Sequence, residues 1–174
     1  MDQLWAPWRL SYVTTPAHKH PTADEGACFI CRGVAGGDDR ANLVVYRSER
    51  SVVVLNRFPY NNGHLLVCPK AHKGRPDELT PDELLDLQLL LRTMIGAIEK
   101  RMNPEGFNIG LNLGRAAGAG VPGHLHWHLV PRWSGDTNFM PVVADVRVIV
   151  QSLDALYDLL KEELAGGVKK SGHG

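Results

Sequence analysis

One short run, His124 to Arg132, restricts the backbone more than any other part of the chain, because histidines occupy every second position at its start. Leu125, Trp127 and Leu129 alternate with those histidines. Side chains point to opposite faces in turn along an extended strand, whereas a helix would spread the three imidazoles around its circumference. The run therefore predicts a strand with a histidine face and a buried apolar face.

Composition limits the class of protein. The chain has 174 residues, 44% of them hydrophobic, with 19 basic and 19 acidic side chains and no net formal charge. This charge balance argues against a protein that coats nucleic acid. No apolar run approaches the roughly 20 residues that span a bilayer, and the first residues lack the pattern of a signal peptide. Three cysteines, two of them in one Cys-x-x-Cys motif, favour metal ligation in a reducing compartment. We expect a cytoplasmic protein without a membrane partner or a nucleic-acid partner.

Residue patterning predicts the elements of one domain. Strand-like runs cover residues 42–47, 51–56, 64–69 and 107–113, in addition to the histidine strand. Thr80, Pro81 and Glu83 predict the start of a helix of about 20 residues, and spaced apolar residues from 153 to 164 predict a final helix. The expected fold class is α+β, an antiparallel sheet of about five strands with one long and one C-terminal helix. Residues 1–165 form the expected domain, including an N-terminal extension and loop over 1–27, and 166–174 form a flexible tail.

The histidine run has two chemical interpretations. A neutral imidazole can bind a metal or act as a nucleophile. The glycine-rich loop over residues 114–123 lies directly upstream and can present backbone N–H groups to phosphate oxygens. The three histidines are therefore either structural or metal-binding, or one of them attacks phosphorus in a phosphorylated substrate and forms a phospho-linked histidine.

The same run carries a resemblance to a known family. His124-Leu-His-Trp-His-Leu-Val130 matches the histidine-triad (HIT) signature, in which three histidines alternate with apolar residues, and Pro131-Arg132 extends the match. Residues 56–70, which include Gly63-His64-Leu-Leu-Val-Cys-Pro-Lys70, resemble the family's second conserved segment. The resemblance spans roughly residues 1–165. It implies a HIT-like homodimer of α+β subunits that bind nucleotides and transfer or hydrolyse nucleotidyl groups.

The resemblance also implies roles for individual residues. His126 corresponds to the nucleophile that becomes nucleotidylated, His128 to the residue that orients it and binds phosphate, and His64 to a partner behind them. The implied contacts to ribose and phosphate come from Asn56, from Asn112 and from the backbone of Gly118, Ala119 and Gly120. The loop lacks the glutamine that many members carry and is one residue longer. In this it resembles the bacterial branch that cleaves diadenosine tetraphosphate with phosphate or water as acceptor.

A metal site is predicted separately. The Cys28-x-x-Cys31 motif followed by histidines fits tetrahedral zinc. Zinc-bearing members of the family use a matching pattern, which implies His72 and His124 as the other two ligands and a closed, structural site. The alternative is two buried thiols and a histidine on the surface.

Together these features predict a nucleotidyl hydrolase or transferase that cleaves dinucleoside polyphosphates such as diadenosine tetraphosphate. Two alternatives stay open at this point. One is a purine nucleoside phosphoramidase, which releases an amine from a nucleoside phosphoramidate. The other is a non-catalytic nucleotide-binding module, whose histidines serve recognition alone.

Overall fold

The computed structural model describes residues 28–136, 149 and 151–167. The expected N-terminal extension, 1–27, lies outside the described residues, as does the expected tail from residue 168 onward. The described elements are β1 (Val44–Arg47), β2 (Ser51–Leu55), β3 (Leu65–Pro69), β4 (Gly106–Leu111), β5 (Trp127–Arg132), α1 (Phe29–Ala35), α2 (Pro81–Met102) and α3 (Leu153–Gly167). The predicted α+β class, with one long helix and one C-terminal helix, is confirmed. No helix in this part of the chain is long and apolar enough to cross a membrane.

The five strands form one sheet in the order β1-β2-β3-β5-β4, and every neighbouring pair is antiparallel. β1 and β2 are joined by a short turn and form an antiparallel hairpin. β5 lies between β3 and β4, where His128 pairs with Leu66 on one side and with Gly110 on the other. This order brings the histidine run beside β3, whose start is preceded by His64.

Helix α2 begins and ends as its sequence predicts. The Thr80 side chain accepts a hydrogen bond from the Glu83 amide, and the Glu83 carboxylate accepts one from the Thr80 amide, which completes a capping box. Asn103 ends the helix with a left-handed φ of 47°, a conformation that asparagine tolerates better than most residues. α2 therefore needs no tertiary contact to fix its boundaries.

The sheet buries a different set of residues on each face. The face toward α2 and α3 forms the main core, and fully burying one of its leucines contributes about 2 kcal/mol. Its members include Val53, Leu65, Leu129, Leu87, Met94, Ile98, Leu156 and Leu160. The opposite face carries a smaller cluster formed by Cys28, Ile30, Val44, Val52, Val54, Leu66 and Cys68. The smaller cluster holds the start of α1 against the face of the sheet from which His128 projects.

The predicted histidine strand is wrong in its first half. β5 begins at Trp127, so His124 and His126 precede the ladder. The Leu125 amide donates instead to the Lys73 carbonyl at 2.7 Å, which draws this segment toward the residues that follow β3. The alternation itself holds in part, because Leu125 and Leu129 are both buried.

The sequence does not predict helix α1, because the glycines and aspartates of residues 33–39 favour turns. Gly33 lies inside the helix, and a Cβ at this position would come within 3.3 Å of Val44. The glycine therefore permits α1 to approach β1 closely, which is a tertiary requirement that the local sequence does not express.

Candidate active site and metal centre

His126 is held in one tautomer. Its Nδ1 lies 2.8 Å from the His124 carbonyl oxygen, which can only accept, so Nδ1 carries the proton and Nε2 keeps its lone pair. The side chain is buried, and burial lowers the pKa of His126 below its ordinary value. His126 is therefore a neutral imidazole near neutral pH, with Nε2 available as a nucleophile.

A chain of hydrogen bonds gives His128 the opposite tautomer. The Tyr60 amide donates to His64 Nδ1 at 3.0 Å, so His64 carries its proton on Nε2. His64 Nε2 donates to His128 Nδ1 at 2.9 Å, which leaves the His128 proton on Nε2. That Nε2 is buried and has no hydrogen-bond partner within the described residues. Burial, and then the neighbouring His126, lower the pKa of His128.

The two imidazoles are complementary neighbours. Their ring centroids are 5.2 Å apart with an interplanar angle of 66°. His126 offers a lone pair, while His128 offers an N–H that lacks an acceptor. Gly110, which pairs with His128 across the ladder, has no atom within 4 Å of the position of a Cβ. The missing side chain leaves space beside His128, and an anionic oxygen placed there would satisfy its buried donor.

Two residues of the loop between β2 and β3 support this pair. Asn56 accepts from the Phe58 amide at 2.9 Å and its Nδ2 lies 3.2 Å from His64 Nδ1, so its amide orientation is fixed. The Tyr60 ring stacks on the His128 ring at 5.5 Å and 17°. Sequence reasoning placed Asn56 in the site and missed Tyr60, because an aromatic residue in a turn-rich loop gives no signal of its partner.

The same loop is fixed to the end of β5 through Asp136. Arg132 donates to both Asp136 oxygens, from Nε at 2.6 Å and from Nη2 at 2.7 Å, and the Asn61 amide adds a third contact at 2.7 Å. The Arg132 guanidinium and these hydrogen bonds lower the pKa of Asp136 to about 2. The loop that carries Tyr60 and Asn56 is therefore held by a charge-assisted network.

The glycine-rich loop lies at the other side of the site. The β4–β5 register ends at Leu111 and Trp127, so Asn112 stands one step beyond the ladder, opposite His126. Asn112 Nδ2 lies 3.5 Å from the Gly118 carbonyl, and Gly118 has a left-handed φ of 86°. The Gly118 and Ala119 amides donate to carbonyls of the loop itself. Of the three backbone groups predicted to meet phosphate, two are thus engaged within the loop.

The four predicted metal ligands lie together. Cys28, Cys31, His72 and His124 each point one ligand atom inward, and these atoms all lie within 4.8 Å of one another. His124 Nδ1 is 3.4 Å from both sulfur atoms, and His72 Nδ1 is 3.1 Å from the Cys31 sulfur. In a tetrahedral zinc site, bonds of about 2.3 Å to sulfur and 2.0 Å to nitrogen give sulfur–nitrogen edges of about 3.5 Å. The cluster therefore has the size and the donors of a tetrahedral metal site.

His124 also has the tautomer that a metal ligand needs. Its Nε2 donates to the Pro69 carbonyl at 2.8 Å, which leaves the Nδ1 lone pair directed at the two cysteines. Burial, followed by the neighbouring imidazoles of His72 and His126, lowers the pKa of His124 to about 4. A neutral imidazole whose second nitrogen is bonded to a carbonyl is the usual state of a metal-binding histidine.

Comparisons with known proteins agree with this geometry. The chain is 36% identical over 166 residues to the AP-4-A phosphorylase of Mycobacterium tuberculosis, a match that covers 95% of this chain and 85% of that protein. It is 36% identical over 124 residues to the asymmetrical bis(5'-nucleosyl)-tetraphosphatase of Schizosaccharomyces pombe, covering 71% and 68% of the two chains. A Zn-bound histidine triad family protein from Mycobacterium smegmatis superimposes with a TM-score of 0.66 at 25% identity, over 84% of this chain and 99% of that chain. The HIT domain model matches residues 39–135, and the chain belongs to the HIT family.

Proposed function

We propose that this protein cleaves dinucleoside polyphosphates by nucleotidyl transfer through His126. The observation that carries the proposal is the pair of opposite tautomers on neighbouring rings, because His126 keeps an Nε2 lone pair while His128 carries a buried N–H that has no acceptor among the described residues. The similarity to AP-4-A phosphorylase over most of the chain supports the same substrate class.

The proposed step begins with attack by His126 Nε2 on the α-phosphorus of diadenosine tetraphosphate. A nitrogen–phosphorus bond forms, the bond from that phosphorus to the bridging oxygen breaks, and ATP leaves with both electrons of the broken bond. His128 Nε2–H holds an oxygen of the reacting phosphate and stabilises the charge that develops on it. His126 then carries AMP on Nε2, and its Nδ1 keeps its proton and donates it in the hydrogen bond to the His124 carbonyl.

An acceptor then attacks the same phosphorus and releases His126. Inorganic phosphate gives ADP, so the overall products are ATP and ADP, whereas water gives AMP and the products are ATP and AMP. The test is to incubate the protein with diadenosine tetraphosphate, with and without phosphate, and to identify the nucleotides. Turnover in either condition supports the proposal, and the products name the acceptor.

Two outcomes would contradict the proposal. Release of an amine from adenosine phosphoramidate, with diadenosine tetraphosphate untouched, would identify a phosphoramidase. Stoichiometric nucleotide binding without turnover of either compound would identify a non-catalytic binding module.

Zinc is the proposed occupant of the four-residue cluster. The donor set, the sulfur–nitrogen distances and the His124 tautomer support this ion, as does the similarity to a Zn-bound family protein. Four protein ligands close the coordination shell, so Cys28, Cys31, His72 and His124 would give the ion a structural role. Metal analysis of protein purified without chelators should find about one zinc per chain.

A homodimer is the proposed assembly, with β4 at its centre. β4 is the last strand in the sheet order and exposes Ile109, which is 49% accessible. Leu113 beyond β4, and Leu85 and Leu89 on α2, add exposed apolar surface. An unpaired apolar edge can pair with its own copy about a twofold axis. Sedimentation analysis should find a dimer that Ile109→Lys dissociates, whereas an unchanged mass would reject this interface.

The cysteines support a cytoplasmic location. Cys28, Cys31 and Cys68 form no disulfide, and two of them take part in the cluster, where a reducing compartment keeps thiols available for metal. Fractionation of cells that produce the full chain would test this location.

A further inference from the structure

We infer that His124 is a positioning residue that couples occupancy of the metal site to the tautomer and orientation of the nucleophile, His126. The inference rests on the zinc site proposed above and goes beyond it, since that proposal gives the ion a structural role alone. The inference depends on one residue that contacts both the metal cluster and the nucleophile. The His124 imidazole belongs to the cluster, and the His124 carbonyl accepts a hydrogen bond from His126.

The imidazole of His124 is fixed from three directions. Nδ1 faces both cysteine sulfurs at 3.4 Å, and Nε2 donates to the Pro69 carbonyl at 2.8 Å. The His72 ring meets it edge to face, with centroids 5.1 Å apart. His124 has no exposed surface. Its side chain cannot rotate without breaking the cluster, so metal ligation at Nδ1 would fix the whole residue.

The carbonyl of His124 is the group that selects the reactive tautomer of His126. It accepts the Nδ1 proton at 2.8 Å. If this carbonyl moves away, the hydrogen bond that keeps the proton on His126 Nδ1 is lost. A free histidine side chain favours the form protonated on Nε2. That form has no lone pair at Nε2, the nitrogen proposed as the nucleophile. A small displacement of His124 therefore removes the nucleophile without removing the side chain.

Two backbone contacts place the metal ligands and the nucleophile on one rigid unit. The Leu125 amide donates to the Lys73 carbonyl, directly after the ligand His72, at 2.7 Å. The His124 amide donates to the Val121 carbonyl at 3.2 Å, at the end of the glycine-rich loop. Loss of the cluster would thus loosen the segment directly before His126, while the residues after it stay paired in β5. Tyr60, His64 and His128 are held by a separate chain of bonds and would stay in place.

The chain offers a matched pair of substitutions to test the inference. Cys31→Ser weakens a ligand that lies 3.4 Å from His124 Nδ1. Cys68→Ser changes a fully buried cysteine in the same apolar cluster that is not one of the four ligands. Both remove one thiol from this face of the sheet, and only the first affects the metal.

The experiment uses the full chain, with its metal content measured in every sample. Three readouts are compared before and after zinc removal with a chelator: the pre-steady-state burst of nucleotidyl-enzyme, KM for diadenosine tetraphosphate, and the ¹⁵N NMR signature of the His126 tautomer. We expect zinc removal and Cys31→Ser each to lower the burst rate by about 10- to 100-fold, to change KM little, and to shift the His126 signal toward protonated Nε2. Returning zinc to the wild-type protein should restore all three readouts, and Cys68→Ser should keep zinc, burst rate and tautomer.

The outcomes separate this inference from the two proposals on which it stands. Folded, zinc-free protein that keeps its burst rate and its Nδ1–H signal would overturn the inference and leave both proposals intact. Absence of stoichiometric zinc in every sample, including samples supplied with zinc, would reject the zinc site and the inference together. If the zinc-free wild-type chain unfolds, the folded Cys31→Ser chain replaces it, and an unchanged His126 signal and burst rate in that variant at reduced zinc content would overturn the inference.

Discussion

Two pairs of histidines lie side by side in this protein and differ in what one nitrogen of each ring contacts. In the metal-side pair, His72 and His124, one nitrogen of each ring faces cysteine sulfur. In the substrate-side pair, His126 and His128, one nitrogen of each is bonded within the protein, and the His128 Nε2 has no partner among the described residues. Hydrogen bonds within the protein thus fix one nitrogen of His124, His126 and His128, and the surroundings of the other nitrogen decide whether the imidazole suits a metal or a phosphate.

The two pairs also differ in the charge of the group that each is suited to bind. Burial lowers the pKa of His124 on the metal side and of His126 and His128 on the substrate side. On the metal side, nitrogen lone pairs and cysteine sulfur atoms converge, and this set of donors binds cations. On the substrate side, a donor N–H lies beside a lone pair, an arrangement that suits an anionic phosphate next to an electrophilic phosphorus.

The largest expected effect separates the two pairs directly. His126→Ala removes the nucleophile, and we expect the rate of nucleotidyl-enzyme formation to fall on the order of 10⁴-fold or more. His72→Ala removes a metal ligand and leaves the nucleophile in the chain, so its loss of rate should be much smaller. Equal losses in the two variants, measured by rapid quench with diadenosine tetraphosphate, would show that the division between the pairs is wrong.

A smaller effect is expected from the donor beside the nucleophile. His128→Ala removes the N–H that lacks an acceptor, and we expect kcat to fall by about 10²- to 10³-fold because one donor to the transition state is lost. His128→Asn, which restores a donor, should recover part of this loss. Zinc content should be unchanged in both variants, and a loss of zinc in either would contradict the separation of His128 from the metal cluster.

The smallest expected effect concerns the loop that holds the substrate-side pair. Asp136→Asn weakens the bonds to Arg132 and Asn61, and we expect a loss of about 2 kcal/mol in unfolding free energy near neutral pH. The pKa of Asp136 is about 2 in the folded protein and about 3.9 in an unfolded chain. Because the folded pKa is the lower one, the carboxylate stabilises the fold above about pH 4, and this contribution is lost as the pH falls through about 2.

Denaturation of wild type and Asp136→Asn at a series of pH values would measure that dependence. The difference between the two proteins should be constant from about pH 7 to pH 5 and should shrink as the pH falls from about 4 toward 2. A difference that does not vary with pH would mean that the loop depends on packing around Asp136 and not on its charge.

Local patterns in the sequence predicted much of the fold. Thr80 and Glu83 mark the start of α2, and Asn103 marks its end, because capping depends on residues that are adjacent along the chain. The strand patterns gave all five strands with small errors at their ends. β5 is shorter than predicted because the Leu125 amide bonds to Lys73, a contact that no local pattern contains.

The sequence predicted which residues form the site more fully than it predicted the contacts that they make. Spacing and resemblance selected His64, His126 and His128, and the structure brings these three side chains together. The resemblance did not predict that the Gly118 and Ala119 amides bond within their own loop, because a glycine-rich sequence permits many turns. Nor could it predict Tyr60 stacked on His128, because that contact depends on how the loop after β2 returns to β3.

The strand order also affects how the protein folds. β1, β2 and β3 follow one another as a meander, and β4 and β5 form a second unit, so each half of the sheet can form from contacts that are close in sequence. Only the β3–β5 ladder joins the halves, and it pairs Leu66 with His128, residues that are far apart along the chain. Both histidine pairs lie along this seam. Neither the histidine pair nor the four-residue cluster can be complete until the two halves dock, so assembly of the site depends on this one long-range pairing.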